Sequence, residues 1–273
     1  MDAQTIIKQY VEAEHTAIYD TLYYYAPIST FLNGILKNEE LVLWAGHIDY
    51  MEDRMEFEKG MSIIRSITEM DEAYSLNIEK GIKNRFPFQI SLSRARDCYP
   101  MWKIYGHGEL AVMLILDGQL IQSSYKHVSP CIYEDSEEYN VICNYLLGRS
   151  WLDAEKGETT IELISDFLFQ FPYLAKDKHY SYEQEVRIFR KIRRNDDKLK
   201  YKVSGNLVKP FKELHFAKEI LKGIMIGPCS DEEFELNKKA ITLKLLENGF
   251  THLHYSNPFQ EDDVTRSDIL IRK

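Results

Sequence analysis

The most strand-like stretch of the chain is Leu110-Ala-Val-Met-Leu-Ile-Leu116, which ends at Asp117-Gly118. A continuous apolar run of this length, bounded by a turn signal, predicts a buried strand. The segment from Phe86 to Ser93 also has strand character. We expect these two strands to pair as the centre of an antiparallel sheet.

Further helices and strands are predicted on both sides of this pair. Apolar residues at helical spacing predict helices over residues 4–20, 31–36, 53–80, 160–170 and 232–247, the last capped by Ser230 together with Glu233. Short strands are predicted at 21–26, 41–44, 185–189, 201–203, 206–208, 214–216, 221–226 and 251–255. No repeat and no Pro/Gly/Ser-rich linker interrupts the sequence. We therefore predict one α+β domain over residues 1–273, with mixed, largely antiparallel sheets and flanking helices.

The composition excludes several classes of protein. Apolar residues make up 44% of the 273 residues and charged residues 28%, which is typical of a globular chain and excludes a disordered one. The 34 basic and 43 acidic side chains give a net charge of −9, which excludes bulk electrostatic capture of nucleic acid but not a local basic patch. The sequence has no signal-peptide pattern and no run of about 20 apolar residues. We therefore expect a cytoplasmic protein without a membrane partner.

The cysteines and histidines give no pattern of metal ligands. Cys98, Cys131, Cys143 and Cys229 are scattered without a Cys-x-x-Cys pair, so we expect reduced thiols. His252-x-His254 is the closest histidine pair, and on a strand both rings would share one face. A solvated edge strand is favoured over a metal site, because no third ligand follows. Phosphate-binding glycine loops and the motifs of zinc proteases and serine hydrolases are also absent from the sequence.

Three stretches concentrate polar side chains beside predicted strands. Asp53 and Glu56 would share one face at the start of a helix, where a capping role explains them without a function. Ser91-Leu-Ser93 places two hydroxyls on one side of a strand, either on the solvent face or in the core, where each would need a partner.

The third stretch is Tyr182-Glu-Gln-Glu-Val-Arg187, in which Glu183, Glu185 and Arg187 alternate along a predicted strand. Two buried carboxylates at this spacing repel each other unless an arginine offsets their charge. The pattern suits a site that stabilises a cation. An exposed, salt-bridged strand is the favoured interpretation from the residues alone.

Taken in order, these stretches resemble the bacterial and phage family known as domain of unknown function 2971. The matching segments are Leu22-Tyr-Tyr-Tyr25, Leu41–Trp44, Asp53-Arg-Met-Glu56, Ser91-Leu-Ser93, Met101-Trp-Lys-Ile-Tyr105, Gly108–Leu116, Glu183–Arg187, Ile220–Pro228 and Ser267–Arg272. They span nearly the whole chain. Glu52 and Arg54 depart from the asparagine and proline of the family's Asn-Asp-Pro-x-Glu-like motif.

A more distant resemblance is to ADP-ribosyltransferases, through the order of a tyrosine strand, a Ser-x-Ser strand and a Glu-x-Glu segment. It implies a split sheet that holds NAD, with Glu185 bonded to the ribose 2′-hydroxyl and stabilising an oxocarbenium-like transition state. Glu183 would activate the acceptor. The resemblance further implies that NAD is contacted by Tyr24, Ser91, Ser93, Trp102 and Tyr105. It also implies that the substrate is contacted by Arg187, Asp53 and Glu56. The chain departs from the pattern because its first strand carries tyrosines where an arginine or histidine is usual.

The function expected from this resemblance is that of an NAD-dependent ADP-ribosyltransferase-like enzyme, acting as a toxin or antiphage effector. Its partners would be a dinucleotide and an acceptor that is a protein or a nucleic acid. The alternative is a non-catalytic binding or regulatory module on the same fold, in which Glu183, Glu185 and Arg187 form structural ion pairs. A nucleic-acid-acting enzyme is a third hypothesis, favoured only by the basic residues from Arg187 to Arg194.

Overall fold

The computed structural model describes residues 2–11, 19–50, 54–68, 80–81, 88–125, 127–148, 158–190, 199–254 and 262–269. The chain divides into two compact units. The first contains Met1–Ala17, Gly46–Ile90 and Lys126–Lys212, and the second contains Ile18–Ala45, Ser91–Tyr125 and Glu213–Lys273. Each unit is assembled from separate segments of the chain, and the single domain over residues 1–273 stays a prediction.

The described elements are a mixture of helices and strands. The helices are α1 (Ala3–Val11), α2 (Arg54–Thr68), α3 (Tyr99–Gly106), α4 (Gly118–Ser124), α5 (Glu137–Leu147), α6 (Glu158–Leu174) and α7 (Asp231–Glu247). A shorter helical segment, Ile28–Thr30, continues as a π-helical turn over Phe31–Ile35. The strands are β1 (Thr21–Pro27), β2 (Leu36–Lys37), β3 (Glu40–His47), β4 (Phe88–Ser93), β5 (Ala111–Asp117), β6 (Val128–Pro130), β7 (Ile132–Tyr133), β8 (Ala175–Lys176), β9 (Glu185–Arg190), β10 (Lys200–Ser204), β11 (Leu207–Ala217), β12 (Leu221–Ile226) and β13 (Val264–Arg266). The predicted α+β class, with largely antiparallel pairing and flanking helices, is confirmed.

The second unit is built around β5, which covers most of the apolar run from Leu110 to Leu116. β5 pairs antiparallel with β1 from Thr21↔Asp117 to Pro27↔Ala111, and its other edge pairs antiparallel with β12. β1 also pairs with β4, at Tyr23↔Ser93. The predicted direct pairing of β4 with β5 is therefore wrong, because β1 lies between them. Both candidate strands are apolar, and hydrophobicity alone does not choose the neighbour.

The turn signal Asp117-Gly118 marks the beginning of a helix. The Asp117 carboxylate caps α4 by accepting a hydrogen bond from the Leu120 amide at 3.0 Å. Gly118 meets the backbone of Tyr19, since a Cβ at this position would lie 2.1 Å from the Tyr19 carbonyl oxygen. The Asp117-Gly118 pair does end the strand as predicted, but it does so by starting α4.

The last strand of the chain lies later in the sequence than predicted, at Val264–Arg266 and not at 251–255. Residues 251–254 form a turn in which Nε2 of His252 donates a hydrogen bond to the Leu221 carbonyl at 2.9 Å. Residue 255 lies outside the described residues. Val264–Arg266 forms β13 instead, parallel to β12, and Val264 is buried there. The strand at 251–255, and with it the edge-strand interpretation of His252 and His254, is wrong over the described residues, because β13 takes the edge of β12.

The first unit has a helical core with short strands beside it. The core residues of α1, α2, α5 and α6 include Ile7, Met61, Ile142, Ile164, Phe167 and Phe171. β6 pairs antiparallel with β9, β7 pairs parallel with β8, and β10 pairs antiparallel with β11. No helix among the described residues is long and apolar enough to cross a membrane.

Candidate functional site

Four charged side chains are buried together in the first unit, and we call Lys176, Glu183, Glu185 and Arg187 the Lys176 cluster. They are only 3–5% exposed. The Lys176 ammonium donates to Glu183 at 2.6 Å and to Oε2 of Glu185 at 2.5 Å. β8 supplies the lysine, and β9 begins at Glu185. Two short strands thus bring opposite charges together away from water.

The Arg187 guanidinium binds both oxygens of Glu185. Its Nε donates to Oε1 at 2.8 Å and its Nη2 donates to Oε2 at 2.9 Å, while Nη1 donates to the Tyr173 carbonyl at 2.6 Å. The two side chains are two residues apart on β9 and therefore share one face of the strand. Such a two-point contact fixes the orientation of the carboxylate as well as its charge.

The charges around Glu185 determine its protonation state. Burial alone would raise the pKa of this carboxyl, but the positive charges of Arg187 and Lys176 outweigh it and hold the pKa well below its usual range. Glu185 is therefore a carboxylate at neutral pH. Its charge is matched at close range by two cations.

The backbone around the cluster is also hydrogen-bonded. The Glu185 amide donates to the Tyr133 hydroxyl at 2.7 Å, and its carbonyl accepts from the Cys131 amide at 2.9 Å. The Cys131 thiol lies 3.5 Å from Oε2 of Glu185. Gln184, between the two glutamates, has the left-handed φ of 43°, which is uncommon for a residue with a side chain.

The interpretation of Glu183, Glu185 and Arg187 as an exposed salt-bridged strand is wrong. All three are buried, and Arg187 offsets the charge of Glu185. The alternation of these residues could not show that they are buried, because the cation that balances the Glu183 carboxylate is Lys176, outside the segment. It lies nine residues before Glu185, on a strand of two residues.

A second polar group, which we call the Asp97 network, lies in the second unit. The Asp97 carboxylate accepts hydrogen bonds from Nε1 of Trp102 at 2.8 Å, from the Ser267 hydroxyl at 2.6 Å and from the Asp268 amide at 2.8 Å. Trp102 is buried and packs edge-to-face on Tyr25, with ring centroids 4.8 Å apart. The network joins the start of α3 to the segment after β13.

Ser93 and Tyr25 stabilise the turn between β4 and α3, which also contains Asp97. The Ser93 hydroxyl accepts from the Ala95 amide at 2.9 Å, and the Tyr25 hydroxyl donates to the Ala95 carbonyl at 2.8 Å. The Tyr25 oxygen also accepts from the Cys98 amide at 3.1 Å. Ser93 is buried, so the solvent-face interpretation is wrong for this serine.

The other predicted cofactor contacts are placed as follows. Tyr24 lies on β1 opposite Leu114, and burial raises the pKa of its hydroxyl to about 12. Ser91 on β4 and Tyr105 on α3 are half-buried. Asp53 and the side chain of Glu56 lie outside the described residues, and so do residues 191–194 of the basic segment.

The predicted site residues divide between the two units. Glu183, Glu185 and Arg187 belong to the first unit, whereas Tyr24, Ser91, Ser93, Trp102 and Tyr105 belong to the second. Their convergence on one cleft stays a prediction. Within each unit, the hydrogen bonds bring together groups that the sequence analysis had treated separately.

Lys176 and Asp97 are central to these networks but were not site residues predicted from the sequence. Lys176 follows the apolar segment Phe171-Pro-Tyr-Leu-Ala175, and a lysine after such a run is the one signal that could have suggested a buried charge. Asp97 has a left-handed φ of 51°, and only the folded turn shows its three donors.

Among the described residues, no group of three or more histidine, cysteine, aspartate or glutamate side chains is arranged to hold a metal ion. Comparison with protein-family models, with curated proteins and with solved structures gave no match. The resemblances to the domain of unknown function 2971 and to ADP-ribosyltransferases therefore stay predictions from the sequence.

Proposed function

We propose that the chain is a non-catalytic binding or regulatory module, in which the Lys176 cluster stabilises the first unit. The observation that carries this proposal is the saturation of Glu185. Both of its carboxylate oxygens accept hydrogen bonds from Arg187, and Oε2 also accepts from Lys176. These partners lie in the same unit as the glutamate.

A carboxylate in this state is poorly suited to the chemistry of NAD cleavage. Loss of nicotinamide develops positive charge on the ribose, and an enzyme stabilises that charge with a carboxylate that is aimed at it. The charge of Glu185 is already matched by two cations, and only 3% of the residue is exposed. A ribose would have to displace Lys176 or Arg187, which would leave a buried cation unpaired.

The second unit supports the same proposal. The Trp102 indole and the Ser93 hydroxyl are both committed to the turn that Asp97 and Ala95 form. A tryptophan whose N–H is bonded inside the unit and whose ring packs on Tyr25 is a core residue. Trp102 and Ser93 therefore stabilise the fold of the second unit, as expected for a module in which they do not bind a cofactor.

A second candidate is an NAD-dependent ADP-ribosyltransferase-like enzyme with a toxin or antiphage role, modifying a protein or nucleic acid. One observation favours it. Groups with strongly shifted pKa values occur often at functional sites, and the pKa of Glu185 is held well below its usual range by Arg187 and Lys176, next to Gln184 with its uncommon left-handed φ. In this case Glu185 would act on the ribose and Glu183 on the acceptor.

Nicotinamide release from labelled NAD separates the two candidates. The assay compares wild type, Glu185→Gln and the control Glu219→Gln, in which an exposed glutamate outside the cluster is changed. The module proposal predicts no release above buffer by any of the three proteins, and a lower melting temperature for Glu185→Gln alone.

Release by the wild type would overturn the module proposal. If a Glu185→Gln variant with an unchanged circular dichroism spectrum no longer releases nicotinamide, Glu185 is the catalytic carboxylate and the enzyme candidate is supported. If release continues unchanged in this variant, the protein is an enzyme in which Glu185 has no catalytic role.

A further inference from the structure

The turn between β4 and α3 in the second unit presents two arginine side chains to solvent. Arg94 and Arg96 are both exposed, whereas Ala95 between them is buried. Their Cα atoms are at most about 7 Å apart, because only one residue separates them. Within the part of the chain that the structure describes, neither guanidinium has a hydrogen bond or an ion pair. Both arginines are therefore available to a ligand.

The backbone that carries these arginines is fixed by hydrogen bonds. The Ala95 amide donates to the Ser93 hydroxyl at 2.9 Å, and the Ala95 carbonyl accepts from the Tyr25 hydroxyl at 2.8 Å. Asp97, directly after Arg96, has the left-handed φ of 51°. Residues with a side chain rarely adopt this conformation, and those that do occur often at functional sites. A fixed backbone lowers the entropic cost of binding a ligand through the two arginines.

The charge on the surface of this turn is mainly positive. Residues 91–105 contain one acidic side chain and three basic ones, which are Arg94, Arg96 and Lys103. The acidic side chain, Asp97, accepts hydrogen bonds from Trp102 and Ser267, which are both buried. Asp268, whose amide also binds Asp97, is exposed and offsets part of the positive charge. The exposed cations still outnumber this carboxylate, so the surface favours an anionic ligand.

An exposed aromatic ring lies beside these cations. Tyr99 begins α3, three residues after Arg96, and is 52% exposed. The Lys103 ammonium lies over this ring, 5.7 Å from its centroid. An arginine fork binds phosphate oxygens at two points, and an exposed ring stacks on an unpaired base. Cations grouped with an aromatic ring are therefore typical of a surface that binds single-stranded nucleic acid.

We propose that Arg94, Arg96, Tyr99 and Lys103, which we call the Arg96 patch, bind single-stranded nucleic acid. The three cations contact phosphates and Tyr99 stacks on a base, so binding has little sequence preference. The net charge of −9 opposes long-range attraction, and binding therefore requires low salt. The Arg96 patch is the ligand site of the proposed binding module, on which this inference rests.

Fluorescence anisotropy of two labelled strands of about 20 nucleotides, oligodeoxythymidine and oligouridine, tests the Arg96 patch in the full chain. We expect wild type to bind at least one strand at about 50 mM salt. Three phosphate contacts predict a slope of about −2 for log affinity against log salt, which is a loss of about 20-fold between about 50 and 200 mM.

A double variant, Arg94→Gln with Arg96→Gln, removes two of the three cations. We expect its slope to fall to about −0.7 and its affinity at low salt to fall by about tenfold or more. The matched control is Lys37→Gln with Lys239→Gln, which has the same net charge and changes exposed lysines of β2 and α7 in the same unit. This control should keep the wild-type slope, and circular dichroism checks that both double variants are folded.

Two single variants separate stacking from charge. Tyr99→Ala should weaken binding by about fivefold or more and leave the salt slope unchanged, because a stacked base releases no counterion. Asp268→Asn removes the exposed carboxylate beside the patch and should tighten binding at low salt. A purely structural role for these residues predicts neither result.

Two results would overturn the proposal. One is a wild type that binds neither strand at low salt. The other is a double arginine variant with the affinity and slope of the wild type. Vesicles of anionic phospholipid are a further probe. Vesicle binding that needs Arg94 and Arg96, without strand binding, would assign the patch to a lipid surface and also overturn the proposal.

Nicotinamide release, measured on the same proteins, keeps this test separate from that of the module. Strand binding through the Arg96 patch together with nicotinamide release would support the patch and overturn the non-catalytic module. The absence of both strand binding and release would overturn the patch and leave the module in place.

Discussion

A buried carboxylate needs partners for both of its oxygens, and Glu185 has them in Lys176 and Arg187. Glu185→Gln removes the negative charge while keeping the shape of the side chain. Two cations then share the single remaining carboxylate of the cluster, on Glu183. We expect the free energy of unfolding at neutral pH to fall by about 3 kcal/mol, measured by urea denaturation. Glu219→Gln, on the surface, should change it little.

The same carboxylate makes stability depend on pH. The pKa of Glu185 is lower in the folded protein than in the unfolded chain, so its stabilisation is present above the unfolded value of about 4.3. It is lost as the pH falls below that value towards the folded pKa. The wild type should therefore lose stability more steeply than Glu185→Gln in this acid range. Equal slopes in urea denaturation would contradict the lowered pKa.

At the scale of elements, helix packing depends on a close approach that a glycine allows. A Cβ at Gly60 of α2 would lie 2.4 Å from Cα of Pro172 in α6, whereas a Cβ at Gly106 of α3 would lie 3.5 Å from Cβ of Ala111, an ordinary contact. Gly60→Ala should lower the free energy of unfolding by about 1–3 kcal/mol, because α2 must move away from α6. Gly106→Ala is the matched control and should cost less than Gly60→Ala in urea denaturation.

The helices and strands also show which features a sequence pattern predicts and which it does not. Ser230 and Glu233 form the predicted capping box, since the Ser230 hydroxyl accepts from the Glu233 amide and the Glu233 carboxylate accepts from the Ser230 amide. Such a signal is local and could be predicted. Strand pairing is not local, and β1 lies between the two strands that were expected to pair.

At the scale of the whole molecule, all four cysteines lie among the described residues and none of them is in a disulfide. Cys131, Cys143 and Cys229 are buried, and burial raises the pKa of the Cys143 and Cys229 thiols. We expect four alkyl adducts per chain when the protein is unfolded in denaturant without reductant, measured by mass spectrometry. Fewer adducts would indicate a disulfide. Adding reductant should leave the melting temperature unchanged.

The sequence by itself determined the α+β class, the capping of α7 by Ser230 and Glu233 and most of the strand positions. Each of these depends on side chains that are close in the chain, and periodicity and capping record such local preferences. The charge offset between Glu185 and Arg187 was predictable for the same reason, because the two residues are neighbours on one strand.

Only the tertiary structure decided which strands are neighbours, where the charges are buried and which residues complete each network. Lys176 reaches Glu183 and Glu185 because β8 and the start of β9 come together, and Ser267 reaches Asp97 across 170 residues of chain. Burial and partner choice are properties of contacts that are distant in sequence. A pattern read along the chain contains no record of them.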